Sequence, residues 1–201
     1  MIFVFALACG IALGYALGGR VRNLANVPHR LLLLLWISVA LQIGLTLVPG
    51  SLDRVEVRFS IVLVSYFLIA VWLLVNLRDP RMPRAGVVLI ASGWFLNLLV
   101  IAANGGMPVS RAALRRAGQD PHIDVAEGHL FKHVPADDDT SLYALADVIP
   151  VRPIGNVISI GDIVLILGLI VFIASAMAIS PDPRTSTSRF MDKRSVQESR
   201  R

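Results

Sequence analysis

Five stretches of this chain carry almost no charge, and each is bounded by basic or turn-forming residues. They run over 2–17, 31–48, 59–77, 85–103 and 157–179. About 18 or more apolar residues in a row is the length an α-helix needs to cross hydrocarbon. The chain of 201 residues is 55% hydrophobic and only 16% charged, with mean hydropathy +0.69. Soluble domains carry more charge, about 25%. The pattern therefore predicts an all-α fold, a five-span transmembrane helical bundle. The formal net charge of +5 does not point to nucleic acid. The basic residues sit in short clusters beside apolar runs, which is how a membrane protein sets its orientation.

The breaks between runs have local causes. Pro28 ends the first loop, Pro49-Gly50 stops the second run, and Arg78-Asp79-Pro80-Arg81-Met82-Pro83-Arg84 forms a basic turn. Ser180-Pro181-Asp182-Pro183 closes the fifth run, and the basic tail over 180–201 is too poor in apolar residues to fold. The first run has no basic region ahead of it and no small-residue cleavage site, so it reads as a retained helix rather than a signal peptide. Gly10, Gly14 and Gly18 recur on one face of it. Such glycines let a second backbone come close, either within the chain or in a homodimer. Cys9 is the single cysteine, so no intrachain disulfide forms. There is no zinc-type cysteine pair, no phosphate-cradling glycine loop and no internal repeat, and no cofactor is expected.

Charge sets an expected orientation. The loops after runs one and three each carry three arginines, and the tail carries six Lys or Arg. Basic flanks stay in the cytoplasm, which places the N-terminus outside and the C-terminus inside a bacterial cell membrane. The long polar segment 104–156 then faces outward, with seven acids against five bases. It is far longer than a usual connection, about 4–6 residues. Its apolar residues, among them Leu114, Leu130, Phe131, Leu142 and Ile149, predict an ordered extracytoplasmic cap. Within it, Ser110 caps a short helix ended by Gly118, and Asp139 or Thr140 caps a second through Leu145. Pro150 and Pro153 hold an extended approach to the fifth run.

Polar side chains inside spans are expensive and face the bundle interior. Gln42, Ser65, Asn97 and Asp162 lie at similar depths, about 8–9 Å below the outer ends of four different runs at 1.5 Å per residue. They predict either a polar pocket beneath the cap or interhelical hydrogen bonds that fix packing. For Asp162 a capping alternative exists: Ser159 as N-cap, with the acid at the third helical position on the positive helix end.

Two catalytic alternatives are weaker. His129 and His133 are four apart, with Asp137, Asp138 and Asp139 behind them, a spacing that can hold zinc on a helix. Gly128 and Pro135 leave little room for that helix, and a solvated loop outweighs a metal site. Asp147 and Asp162 could pair as one protonated and one ionised carboxylate, the arrangement of aspartyl hydrolases. The run from Asn156 to Leu165 slightly resembles the start of the last helix of lipoprotein signal peptidases, whose other motifs are missing here. Arg111, Arg115 and Arg116 read as a solvated helix face rather than an anion site.

Four motifs together carry a family resemblance: Asn104-Gly105-Gly106-Met107-Pro108-Val109, Lys132-His133, Leu145-Ala146-Asp147-Val148-Ile149-Pro150 and Ser159-Ile160-Gly161-Asp162. With their spacing they resemble a bacterial integral-membrane family catalogued only as a domain of unknown function, DUF5317. The resemblance spans all five runs and implies a multi-pass membrane protein with no assigned activity. The residues add an expected ligand pocket built from Gln42, Asn97, Asn104, Lys132, His133, Asp147 and Asp162. It would take a small ligand, a lipid or a protein partner. A membrane-embedded hydrolase and a small transporter subunit are the alternatives.

Overall fold

The computed structural model describes residues 2–28, 30–47, 55–119 and 133–178, without the side chains at 46, 47, 55, 56 and 58. The helices are α1 (Ile2–Ala16), α2 (Leu32–Leu47), α3 (Val55–Leu77), α4 (Arg84–Asn104), α5 (Arg111–Ala117) and α6 (Ile160–Ala178). Four three-residue strands accompany them: β1 (Met107–Val109), β2 (His133–Pro135), β3 (Ile149–Val151) and β4 (Asn156–Ile158). Among the described residues, 59–77 of α3, α4 and α6 are long and apolar enough to cross a membrane; α1 and α2 are shorter, at 15 and 16 residues. An α-helix suits such sequences because it satisfies its own backbone where water is absent.

Glycines set how the helices meet. α6 packs on α4 along one side and on α1 along the other. A Cβ at Gly86 would overlap the Phe172 backbone, and one at Gly93 would come within 2.5 Å of the Gly161 carbonyl oxygen. Gly168 is pressed against Ile90. On the α1 side, Gly10 and Gly14 meet Ile173 and Met177 of the same chain, while Gly18, left-handed at φ +78, lies beyond the helix, where a Cβ would meet open space. α2 pairs with α3, and α3 touches α4 more lightly.

One end of the assembly is closed by short loops. Asn23 Nδ2 and the Arg20 N–H both donate to the Met177 carbonyl, the last turn of α6. Asp79, in the turn before α4, receives the Arg81 N–H, Nε and Nη2 and lies 3.5 Å from Arg30. At the other end the described residues between α4 and α6 fold onto the helices. Met107 and Ala146 share a buried cluster with Leu45, Val62, Val100 and Ile101. α5 closes a second cluster with Val109 and Val157. Ser110 Oγ accepts the Ala113 N–H, Gly118 ends α5 at φ +86, and Arg152 Nε donates to the Arg116 carbonyl in its last turn.

The structure departs from the sequence expectations at three places here. The fold is mostly helical rather than all-α, because the Pro- and Val-rich stretches around Pro108, Pro135 and Pro150 pair as strands. The helix expected from Asp139 is a single 3₁₀ turn, Tyr143–Leu145, while Thr140 and Asp137 bond each other through Thr140 Oγ1. The approach through Pro150 and Pro153 is a hairpin, with β3 antiparallel to β4 and Gly155 left-handed at its turn. As a result α6 begins at Ile160, three residues later than the apolar run, and Asp162 sits in its first turn rather than about five residues into the helix.

Candidate functional site

That late start puts a helix N-terminus in the middle of the bundle. Gly161 lies against Asn97 and Gly93, so the first turn of α6 stands level with the centre of α4, not with its end. Ser159 and Asp162 cap the turn reciprocally. Ser159 Oγ accepts the Asp162 N–H at 3.0 Å, and Asp162 Oδ2 accepts the Ser159 N–H at 3.1 Å. Asn97 Nδ2 donates to Asp162 Oδ1 at 2.8 Å, and Ser159 Oγ donates to Asn97 Oδ1 at 3.0 Å. Both Asp162 oxygens are thus engaged, and the carboxylate balances the positive end of the helix.

β1 places a second pair above this. β2 runs parallel to it with His133 opposite Met107, and on its other side Asp147 donates its N–H to the Pro108 carbonyl and accepts the Ser110 N–H. Pro108 has no N–H to lose, so only its carbonyl takes part. Two neighbours of one short strand thereby meet: His133 Nε2 lies 3.2 Å from Asp147 Oδ2. The Asp147 side chain is 7% exposed. Burial pushes its carboxyl above the ordinary range and the charge of Asp162 adds to this, while the bond from His133 pulls the other way.

Gln42, Asn97, His133, Asp147 and Asp162 line one half-enclosed cavity of about 450 Å³. Its walls also include Phe3 of α1, Tyr66 and Ile69 of α3, and Trp94 and Ile90 of α4. The Tyr66 and Trp94 rings lie 5.5 Å apart. Three buried polar atoms on these residues have no hydrogen-bond partner among the described residues: Asp147 Oδ1, His133 Nδ1 and Trp94 Nε1. His133 and Asp147 also border a second cavity of about 150 Å³ beneath α5 and β4.

The other expected residues fall elsewhere. Asn104 bonds the Val100 carbonyl and both the N–H and carbonyl of Ser141, next to Leu142, which is left-handed at φ +56. Ser65 is buried between Ser38 Oγ at 2.8 Å and Gln42 Nε2 at 2.6 Å, an α2–α3 link. Lys132 lies outside the described residues, as does His129 of the expected zinc arrangement, while His133 and Asp137, Asp138 and Asp139 are described. Among the described residues no three potential ligands cluster for a metal ion. Tyr66, Trp94 and Phe3 were not expected at the site. An aromatic inside an apolar run looks like packing, and only the polar tips of Tyr66 and Trp94 hint otherwise.

These elements describe a mostly helical protein with membrane-length apolar helices and a largely apolar cavity edged by a few polar side chains. The chain belongs to DUF5317, a family of unknown function, whose profile matches residues 26–174. An uncharacterised protein of Thermotoga maritima is 31% identical to it over 193 residues, covering 94% of this chain and 96% of that protein. No solved structure matches the fold.

Proposed function

We propose that this chain is a multi-pass membrane protein of the bacterial cell membrane that binds a small ligand in an outward-facing pocket. α1, α2, α3, α4 and α6 would be its five spans, with the N-terminus outside, the C-terminus in the cytoplasm and the described chain between α4 and α6 as the roof. One observation carries the binding role: Asp147 Oδ1, His133 Nδ1 and Trp94 Nε1, on residues that line one cavity, are buried without partners among the described residues. An unpartnered buried polar atom costs about 1–3 kcal/mol, a cost that a ligand's own polar groups would offset. A cavity of about 450 Å³ falls in the usual range for ligand sites. Binding is favoured over hydrolysis by a carboxylate pair, because both oxygens of Asp162 already accept hydrogen bonds.

Thiol labelling tests sidedness and access together. In a Cys9→Ser background, Gln42→Cys should react with a small membrane-impermeant reagent added outside. Arg81→Cys, whose native side chain is 65% exposed at the opposite end, should react only from inside. The reverse sidedness, or an inert cysteine at 42, would overturn the proposal.

A further inference from the structure

We infer that the pocket is built for a protonated amine that also carries an oxygen acceptor and an apolar body. This rests on the pocket described above and names its ligand class. Charge comes first: the described lining holds two carboxylates, Asp147 and Asp162, with His133 and no lysine or arginine. The helix N-terminus there would favour an anion, but Asp162 already occupies it through the Ser159 cap. Asp162 is spent on Asn97 and Ser159, so the free acceptor is Asp147 Oδ1. Its side chain is more than nine-tenths buried, and one ammonium N–H would complete it.

The aromatic wall points the same way. Tyr66 and Trp94 stand together beside the carboxylates, and ring faces attract a desolvated cation. The bare Trp94 Nε1 can only donate, which asks for an oxygen on the ligand. Ile69, Ile90, Ile101 and Leu165 complete the lining with apolar surface. A bare metal ion fits poorly: calcium or magnesium wants about six oxygens, and a single carboxylate oxygen is spare. The chemistry could come from a soluble amino alcohol or from the ethanolamine headgroup of a lipid, whose phosphate supplies the acceptor.

Trp94 offers a direct readout. The full chain with Trp36→Phe and Trp72→Phe, held in phosphatidylglycerol nanodiscs, leaves Trp94 as the sole tryptophan. 2-Amino-1-phenylethanol should quench it saturably. Neutral 1-phenyl-1-propanol and anionic mandelate should bind at least about tenfold more weakly, and so should the amine to Asp147→Asn. That substitution keeps the backbone bonds of residue 147 to Pro108 and Ser110, so the roof stays in place. Adding phosphatidylethanolamine separates the sources: a weakened amine response identifies the headgroup, and an unchanged one a soluble amine. Equal binding of mandelate or the alcohol would overturn the amine while leaving the pocket. Amine binding that ignores Asp147→Asn, or no saturable response to any probe, would overturn the inference outright.

Discussion

Asp79 and Asp147 are both buried aspartates, one at each end of the helices, and their surroundings are opposite. Asp79 takes three bonds from Arg81 and lies near Arg30; the Arg81 bonds hold its carboxyl down at about 2. Asp147 has His133 on one oxygen and no partner among the described residues on the other, and burial pushes its carboxyl up. A saturated carboxylate fastens a turn. An unsaturated one beside a cavity keeps binding capacity in reserve. The same residue type therefore serves structure at one end and, in our proposal, recognition at the other.

The contrast presumes a stiff connection between the ends, and the α4–α6 contact supplies it. Gly86→Ala drives a methyl into the Phe172 backbone and should cost about 3 kcal/mol. Gly44→Ala, with open space around it, should be neutral or slightly stabilising. Denaturant titration in mixed micelles separates them, and equal effects would mean the two helices do not touch there. Next in size, Asn97→Ala removes the bond to Asp162 and the acceptor of Ser159 Oγ, and should cost about 1–2 kcal/mol in the same titration.

The two aspartates should also give stability opposite slopes with pH. Asp79 has a depressed carboxyl, so its stabilisation is full above about 4 and fades as pH falls through about 2. Asp79→Asn should abolish that acid-side loss and lower stability at neutral pH. Asp147 has a raised carboxyl and faces His133, Asp162 and Tyr66. Its contribution is present below the ordinary carboxylate value and lost as pH rises through the raised one. Asp147→Asn should flatten that decline without destabilising the protein near neutrality. Smallest of all, Ser38→Ala breaks the bond to Ser65 and should cost about 0.6 kcal/mol, the usual worth of such bonds between membrane helices.

The helices were legible because proline, glycine and arginine mark their ends: Pro83 before α4, Gly105 after it at φ +72, Ser110 and Gly118 around α5. The start of α6 was not. Asn156-Val157-Ile158 is apolar enough to continue the run, and periodicity cannot separate a short strand from a helix turn. Asp162 nevertheless meets Asn97 at one level, because the helix that carries it starts inside the bundle, and the capping alternative at Ser159 describes what the chain does. The meeting of Asn97 with Asp162 follows from Gly93 and Gly161 letting the backbones close, a tertiary fact. The pairing of His133 with Asp147 depends on both flanking β1, which no local pattern announces. Asn104 looked like a pocket residue because it is polar at a span end; its amide instead anchors Ser141.

Difference infrared spectroscopy of the protein in lipid tests the contrast most directly. Subtracting Asp147→Asn and Asp79→Asn from the parent isolates each carboxyl band. A protonated Asp147 band that persists above pH ~4, the ordinary aspartate value, together with an Asp79 band absent until the pH approaches 2, is the expected result. An Asp147 that ionises at or below the ordinary value would mean its second oxygen is already partnered, and the pocket would lose its reason to bind.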